Sequence, residues 1–282
     1  MMRYTLLVVA LLPMMLGVGP ASKPDPIAAQ CAQLLERWKD RLAAERLTVV
    51  LAPPFVLAGD GGLHRLERYR DGTILAAQHA LRATYFDAQP QEPILIFLFE
   101  SAELYQRLAR QWFGEQDVPH FGFYRHRDNV MLMNVATGTG TLVHELVHAL
   151  MKSDFPDAPG WFNEGLASLY EQCTLDGQTI TGLKNWRLPA LKKAIQEDRL
   201  RPLSELIDDP RFYREDLTGL NYAQARYLLL YLQDKGLLRE YYRRFRAARG
   251  EDPTGRKTLE YLIWPQSLDD FDRAWRAWVL AL

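Results

Sequence analysis

Residues 137–151 read TGTGTLVHELVHALM, and the pentapeptide HELVH at 144–148 decides how the rest of the chain is read. A helix turns once every 3.6 residues, so His144 and His148 stack on one face about one turn apart. Two imidazoles so placed can hold one Zn²⁺ through ring nitrogens at about 2.0–2.1 Å. Glu145 then stands beside the metal, where it can act as base toward a water there without being a ligand itself. HxxxH with a neighbouring Glu also arises in ordinary charged helices. Here, however, Leu142, Val143, Leu146, Val147, Ala149 and Leu150 leave little polar face. Three ionisable residues in so apolar a helix are costly to bury without a partner such as a metal.

Working outward, KSDFPDAPG (152–160) carries two prolines and a glycine, enough to turn the chain. WFNEGLASLYEQC (161–173) is again helical in pattern and supplies Glu164 as candidate third ligand. Catalytic zinc commonly takes three protein ligands and keeps a fourth position for water. A second helix folded back on the first can bring a carboxylate opposite the two imidazoles. Gly165 and Ala167 add no bulk there, which suits close packing on the HELVH helix, and Ser168 is placed to hydrogen-bond a ligand. The plainer reading of Glu164 is an exposed carboxylate at a helix start, favoured by the macrodipole. Glu171 reads as a surface residue. Upstream, TGTGT matches no phosphate-binding loop and reads as a helix start capped by Thr139 or Thr141.

HELVHAL followed by PGWFNEGLAS resembles the gluzincin metallopeptidases, the thermolysin-like zincins, and above all the peptidase MA-like group. That group pairs HExxH with a downstream W-x-x-E-G-L-A segment. The likeness covers about residues 120 to 173 and weakens to about 235. It implies that His144, His148 and Glu164 bind zinc, that Glu145 is the general base, and that a peptide lies along an edge strand, here Val130 to Val135. It also implies a Tyr or His from farther down the chain to stabilise the oxyanion. Tyr222 in GLNYAQARYLLLYLQDKG is the local candidate, with Asn221 as helix cap and Arg226, one turn on, placed for a substrate carboxylate. Two departures stand out. Only fifteen residues separate His148 from Glu164, so the connecting lobe is small, and Ser168 occupies a position where thermolysin carries an Asp.

The remaining sequence frames this site. The chain has 282 residues, 48% hydrophobic, enough for one large core or two modest ones. A formal charge of −1 argues against a nucleic-acid partner. Residues 1–21, with Arg3, an apolar run and Gly19-Pro20-Ala21, read as a cleavable export signal, so the mature protein is expected outside the cytoplasm with no stable membrane span. In such a compartment Cys31 and Cys173 either form a bridge or remain buried thiols. Leu47–Leu51, Ile94–Phe99 and the hairpin Phe121–His126/Val130–Val135 read as strands. His120 and His126 are tempting extra ligands, but a lone His near a strand is more often a surface or hydrogen-bonded residue. Ile27–Arg46, Thr73–Phe86 and Glu103–Trp112 read as helices. Phe271, Trp275, Trp278 and Val279 have the spacing of a core face.

The expected fold is α+β and zincin-like. A signal peptide (1–21) precedes an N-terminal α+β part (22–136), whose small, largely antiparallel sheet packs on the HELVH helix. The zinc-site helices and a C-terminal helical lobe (137–282) follow. The expected function is an exported zinc peptidase acting on peptide or protein substrates. The alternative is a non-enzymatic module that keeps the zinc site for structure or for peptide recognition.

Overall fold

The computed structural model describes residues 26–214 and 216–282. Its centre is β3 (Ile94–Phe99), six consecutive apolar residues with no solvent-facing side chain. A strand alternates its side chains, so such a run requires cover on both faces. Leu95, Phe97 and Phe99 join Val56, Ala58, Val130 and Leu132 on one face. Ile94, Ile96 and Leu98 join Phe55, Leu57, Met131 and Met133 on the other.

The sheet has five strands in the order β1 (Thr48–Ala52), β2 (Phe55–Gly59), β3, β5 (Val130–Asn134), β4 (Gly122–Arg125). β2, β3 and β5 run parallel, and only the flanking pairs β1–β2 and β4–β5 are antiparallel. The expected α+β class holds, but the sheet is mixed rather than largely antiparallel. Parallel neighbours need crossovers, and helices provide them. α2 (Leu63–Tyr69) continues through a π-helical turn (Arg70–Leu75) into α3 (Ala76–Thr84) between β2 and β3, and α4 (Ala102–Phe113) follows β3. The strand expected at the edge is not there. Val130–Asn134 lies between β3 and β4, and β4 is the outermost strand on that side.

One face of the sheet carries α1 (Pro26–Ala44) and α4, with Trp38 edge-on to Phe97 at 5.4 Å and to Trp112 at 5.6 Å. The other face carries α5 (Gly140–Asp154), the HELVH helix, with Leu142, Leu146, Val147 and Leu150 buried against it. Cys31 lies in the first of these layers and Cys173 in the second, so the sheet separates them and no bridge forms.

After a short turn comes α6 (Gly160–Leu169), then a hairpin of β6 (Cys173–Asp176) and β7 (Thr179–Gly182). The chain continues through α7 (Leu188–Gln196), α8 (Leu203–Asp208), α9 (Thr218–Asp234), α10 (Leu238–Ala248), α11 (Arg256–Ile263) and α12 (Leu268–Ala281). α12 buries Phe271, Trp275 and Val279, as their spacing predicts.

Two polar clamps hold α5 and α6 in this frame. At the end of α5, buried Asp154 accepts from the Asp87 and Ala88 amides at 2.8 and 2.7 Å, from the Tyr242 hydroxyl at 2.6 Å and from Arg246 at 2.5 Å. At the end of α6, Arg226 of α9 is fully buried and donates to the carbonyls of Ser168 (2.9 Å), Leu169 (3.3 Å) and Leu183. A cation suits a helix C-terminus, where the carbonyls lack intrahelical partners. Arg226 is therefore a clamp inside the lobe and does not face a substrate carboxylate. No helix of the described residues is long and apolar enough to cross a membrane, and the expected signal at 1–21 lies outside them.

Candidate metal centre

The helical repeat places His144 and His148 side by side, with their Nε2 atoms 3.0 Å apart. Glu164 of α6 reaches across, its Oε2 3.4 Å from each of those nitrogens. A tetrahedral metal holding ligands at about 2.0–2.1 Å sets them roughly 3.3 Å apart. The three atoms thus already form the base of such a site. Glu164 Oε2 is buried and has no hydrogen-bond partner, an orphan acceptor aimed at the same point as the two imidazoles. All three side chains are buried, and two imidazoles with one carboxylate form a donor set that suits zinc. The residues fit the ion that the sequence implies.

Each candidate ligand is held from behind. Asn163 Oδ1 lies 2.9 Å from His148 Nδ1, which leaves Nε2 to face inward. Glu171 Oε1 lies 3.2 Å from His144 Nδ1, approaching obliquely to the ring N–H. Glu171 is itself fixed by Arg187 at 2.9 Å and by the Asn185 amide at 3.2 Å. Tyr213, ahead of α9, donates its hydroxyl to Glu164 Oε1 at 3.1 Å, so Oε2 alone points inward.

Glycines make these approaches possible. At Gly140, the first residue of α5, a Cβ would collide with the Glu171 carbonyl, and Gly138 takes φ 111°, which disfavours any side chain. The threonines do less than expected. Thr139 occupies the N-cap of α5 but its side chain makes no capping bond.

The site is electrostatically coupled. Burial alone would depress the His144 pKa, but Glu164 and Glu171 on either side outweigh it and lift it to about 10. Burial likewise works against a charged Glu164, yet the two histidines hold its carboxyl well below the usual carboxylate range. Glu145 is raised, chiefly by burial and further by Glu164 and Glu171, against the pull of the two histidines. It borders the cleft beside His144 without belonging to the ligand cluster.

His120 is exposed against Phe121, and His126 stacks edge-on at 6.0 Å from the His148 ring; neither belongs to the cluster, the commoner outcome for a lone His near a strand. Other residues behave differently from their sequence reading. Ser168 Oγ is buried without a partner and reaches no ligand. Glu171, read as a surface carboxylate, is buried against His144. Asn221 sits inside α9, donating to the Phe212 carbonyl at 2.6 Å and accepting from Arg201 at 2.9 Å, and caps nothing. Gly165 faces Ala225 and Leu229 of α9.

Tyr222 is half-buried on the cleft wall under the Arg187 guanidinium at 5.4 Å. Its hydroxyl pKa is raised, first by burial and then by the nearby Glu164 charge. Asn163 and Tyr213 were not singled out in the sequence. Asn163 carried a faint signal, as a polar residue beside Glu164, and Tyr213 carried none. No protein-family model matches the chain, and no curated protein matches it.

Proposed function

We propose that this protein is an exported zinc-dependent peptidase of gluzincin type, with His144, His148 and Glu164 holding the ion. The observation that carries the reading is the triangle of two Nε2 atoms and one carboxylate oxygen, 3.0–3.4 Å on a side, with Glu145 beside it on an open cleft. Zinc bound there would polarise the scissile carbonyl and lower the pKa of a water.

The chain's own residues do the remaining work. Glu145 takes a proton from the attacking water and delivers it to the leaving amine, while the water oxygen goes to the acyl carbon. Its raised pKa suits a group that must hold the proton in between. Asn163, Glu171 and Tyr213 keep the ligand atoms oriented while this happens. The Tyr222 hydroxyl on the cleft wall is the proposed donor to the developing oxyanion. A non-enzymatic module with a structural zinc would favour a fourth protein ligand, and among the described residues the cluster has three. Export rests on the reading of residues 1–21.

The test is digestion of a mixed peptide library by zinc-loaded mature protein beside Glu145→Gln, read by mass spectrometry. Cuts made by wild type, abolished by a chelator and absent with a zinc-replete Glu145→Gln, are the expected result. Cleavage by Glu145→Gln at the wild-type rate overturns the mechanism.

A further inference from the structure

The carboxylate that steadies His144 does not sit on a helix. One turn after Glu164, α6 offers Ser168, whose buried Oγ has no partner, and the helix ends at Leu169. Glu171 follows on a turn, outside the regular hydrogen bonding of α6. Its placement therefore falls to the segment between β7 and α7. Asn185 Nδ2 donates to Glu171 Oε2 at 3.2 Å, and Arg187 donates from Nη2 to Oε1 at 2.9 Å and from Nε to Oε2 at 3.4 Å. A planar fork that meets both oxygens of a carboxylate fixes its orientation as well as its place.

This segment is itself anchored. Asn185 Oδ1 accepts from the Arg187 amide at 3.1 Å, which makes an Asx turn. The Asn185 amide donates at 3.0 Å to the hydroxyl of Tyr227, a buried residue of α9.

The same guanidinium meets α9 a second time. Its carbon lies 5.4 Å from the centre of the Tyr222 ring and 5.2 Å from that of Trp186. A cation over a ring is attracted by the ring quadrupole, more strongly where water is partly excluded, and the Arg187 side chain is 21% exposed. Tyr222 also packs on Phe212, with ring centres 5.5 Å apart. A tyrosine pivots on two torsions, so contacts on its ring decide where its hydroxyl stands.

We propose that Arg187 is a positioning residue that joins two parts of the site. It sets His144 through Glu171 and the Tyr222 hydroxyl through the ring contact, so the metal ligand and the cleft hydroxyl are placed as one unit. The oxyanion role of that hydroxyl rests on the peptidase reading.

The experiment compares wild type with Arg187→Ala, Glu171→Ala, Tyr222→Phe and the two double variants that contain Arg187→Ala. Zinc affinity is measured by competition with a chelator, and kcat and KM at saturating zinc on a peptide that wild type cleaves. Fluorine NMR of protein carrying 3-fluorotyrosine reports on Tyr222, whose signal is the one missing from Tyr222→Phe. Melting of the metal-free protein checks the fold.

Arg187→Ala is expected to bind zinc at least about tenfold more weakly and to lose about 10- to 100-fold in kcat, with KM within about threefold of wild type. The zinc loss vanishes when Glu171→Ala is already present, and the kcat loss shrinks when Tyr222→Phe is, because neighbours that act together are not additive. The Tyr222 fluorine signal shifts in Arg187→Ala. Guanidinium added below denaturing concentrations restores part of kcat in the Arg187→Ala variant and none in wild type.

Unchanged zinc affinity, kcat losses that multiply independently in the double variant, or an unmoved fluorine signal overturns the proposal. A raised KM with unchanged kcat also overturns it, since Arg187 would then be a contact of the substrate. Zinc and fluorine responses as expected, with no peptide cleaved by wild type, uphold the coupling and overturn the peptidase reading.

Discussion

His148 presents Nδ1 to Asn163 Oδ1 at 2.9 Å, and Asn163 immediately precedes Glu164, whose carboxylate meets the other nitrogen of the same ring at 3.4 Å. One dipeptide of α6 thus grips both sides of one imidazole. The acceptor oxygen of Asn163 also selects the tautomer with hydrogen on Nδ1, leaving the Nε2 lone pair for a metal.

Asn163→Ala should therefore weaken zinc binding by about 10- to 100-fold, with little loss of metal-free stability because one half-buried hydrogen bond is removed. Competition titration against a chromophoric chelator measures the first quantity and thermal melting of the metal-free protein the second. Unchanged zinc affinity would show that His148 needs no help.

Tyr213 and Tyr222 both lie close to Glu164, and Tyr213 donates to its Oε1 at 3.1 Å. Tyr213→Phe should lower zinc affinity by about tenfold or more. Tyr222→Phe should leave zinc affinity within about threefold of wild type and instead reduce kcat by about 10²-fold, as loss of an oxyanion donor does. The reverse pattern would exchange the two roles.

Gly165 bears on stability rather than chemistry. A Cβ there would lie 3.2 Å from the Ala225 Cβ, the Ala225 carbonyl and a Leu229 methyl. Gly165→Ala should therefore cost about 1–3 kcal/mol through overpacking, less what its helix propensity returns, and it should shift Glu164 with α6. A lower denaturation midpoint together with weaker zinc binding is the expected pair of readings.

Asp154 predicts an acid limb of stability. Burial opposes its charge, but the Ala88 amide, Tyr242 and Arg246 outweigh burial and hold its pKa below the ordinary carboxylate value. A depressed carboxylate stabilises the fold above its unfolded pKa, about 3.9, and loses that contribution as pH falls through the lower native value. Asp154→Ala should cost about 3 kcal/mol at neutral pH, since Tyr242 and Arg246 lose their acceptor. It should also flatten the stability profile below about pH 4. Denaturant unfolding across pH tests both, and an unaltered acid limb would remove Asp154 from it.

The local part of this site was legible in the sequence. HELVH and WFNEGLAS announced two helices, and the helical repeat alone brings His144 and His148 together; Glu164 joins them from the second helix. β3 and the β4–β5 hairpin were equally readable, from an unbroken apolar run and from two strand-like stretches on either side of Arg127-Asp128-Asn129, where Asn129 takes φ 55°.

What escaped was non-local or ambiguous. FVLAG is too short and too uniformly apolar to announce β2, and the Pro53-Pro54 turn that joins it to β1 carries no periodicity. The β6–β7 hairpin did carry a signal, Asp176-Gly177, with Gly177 at φ 56° in a two-residue turn. Glu171 lies seven residues after Glu164, but α6 ends at Leu169, and the turn that carries Glu171 to His144 has no signature in the periodicity. No periodicity encodes the meeting of Tyr213 with Glu164 across 49 residues.

The two-faced sheet has a practical consequence. α1 and α4 cover the face opposite α5, so the sheet stands between the first described helix and the cleft. A handle joined ahead of Pro26, whether a bead linker or a fluorescent protein, would hang from the reverse side. The molecule can then be immobilised by its front end with the cleft left open to solvent.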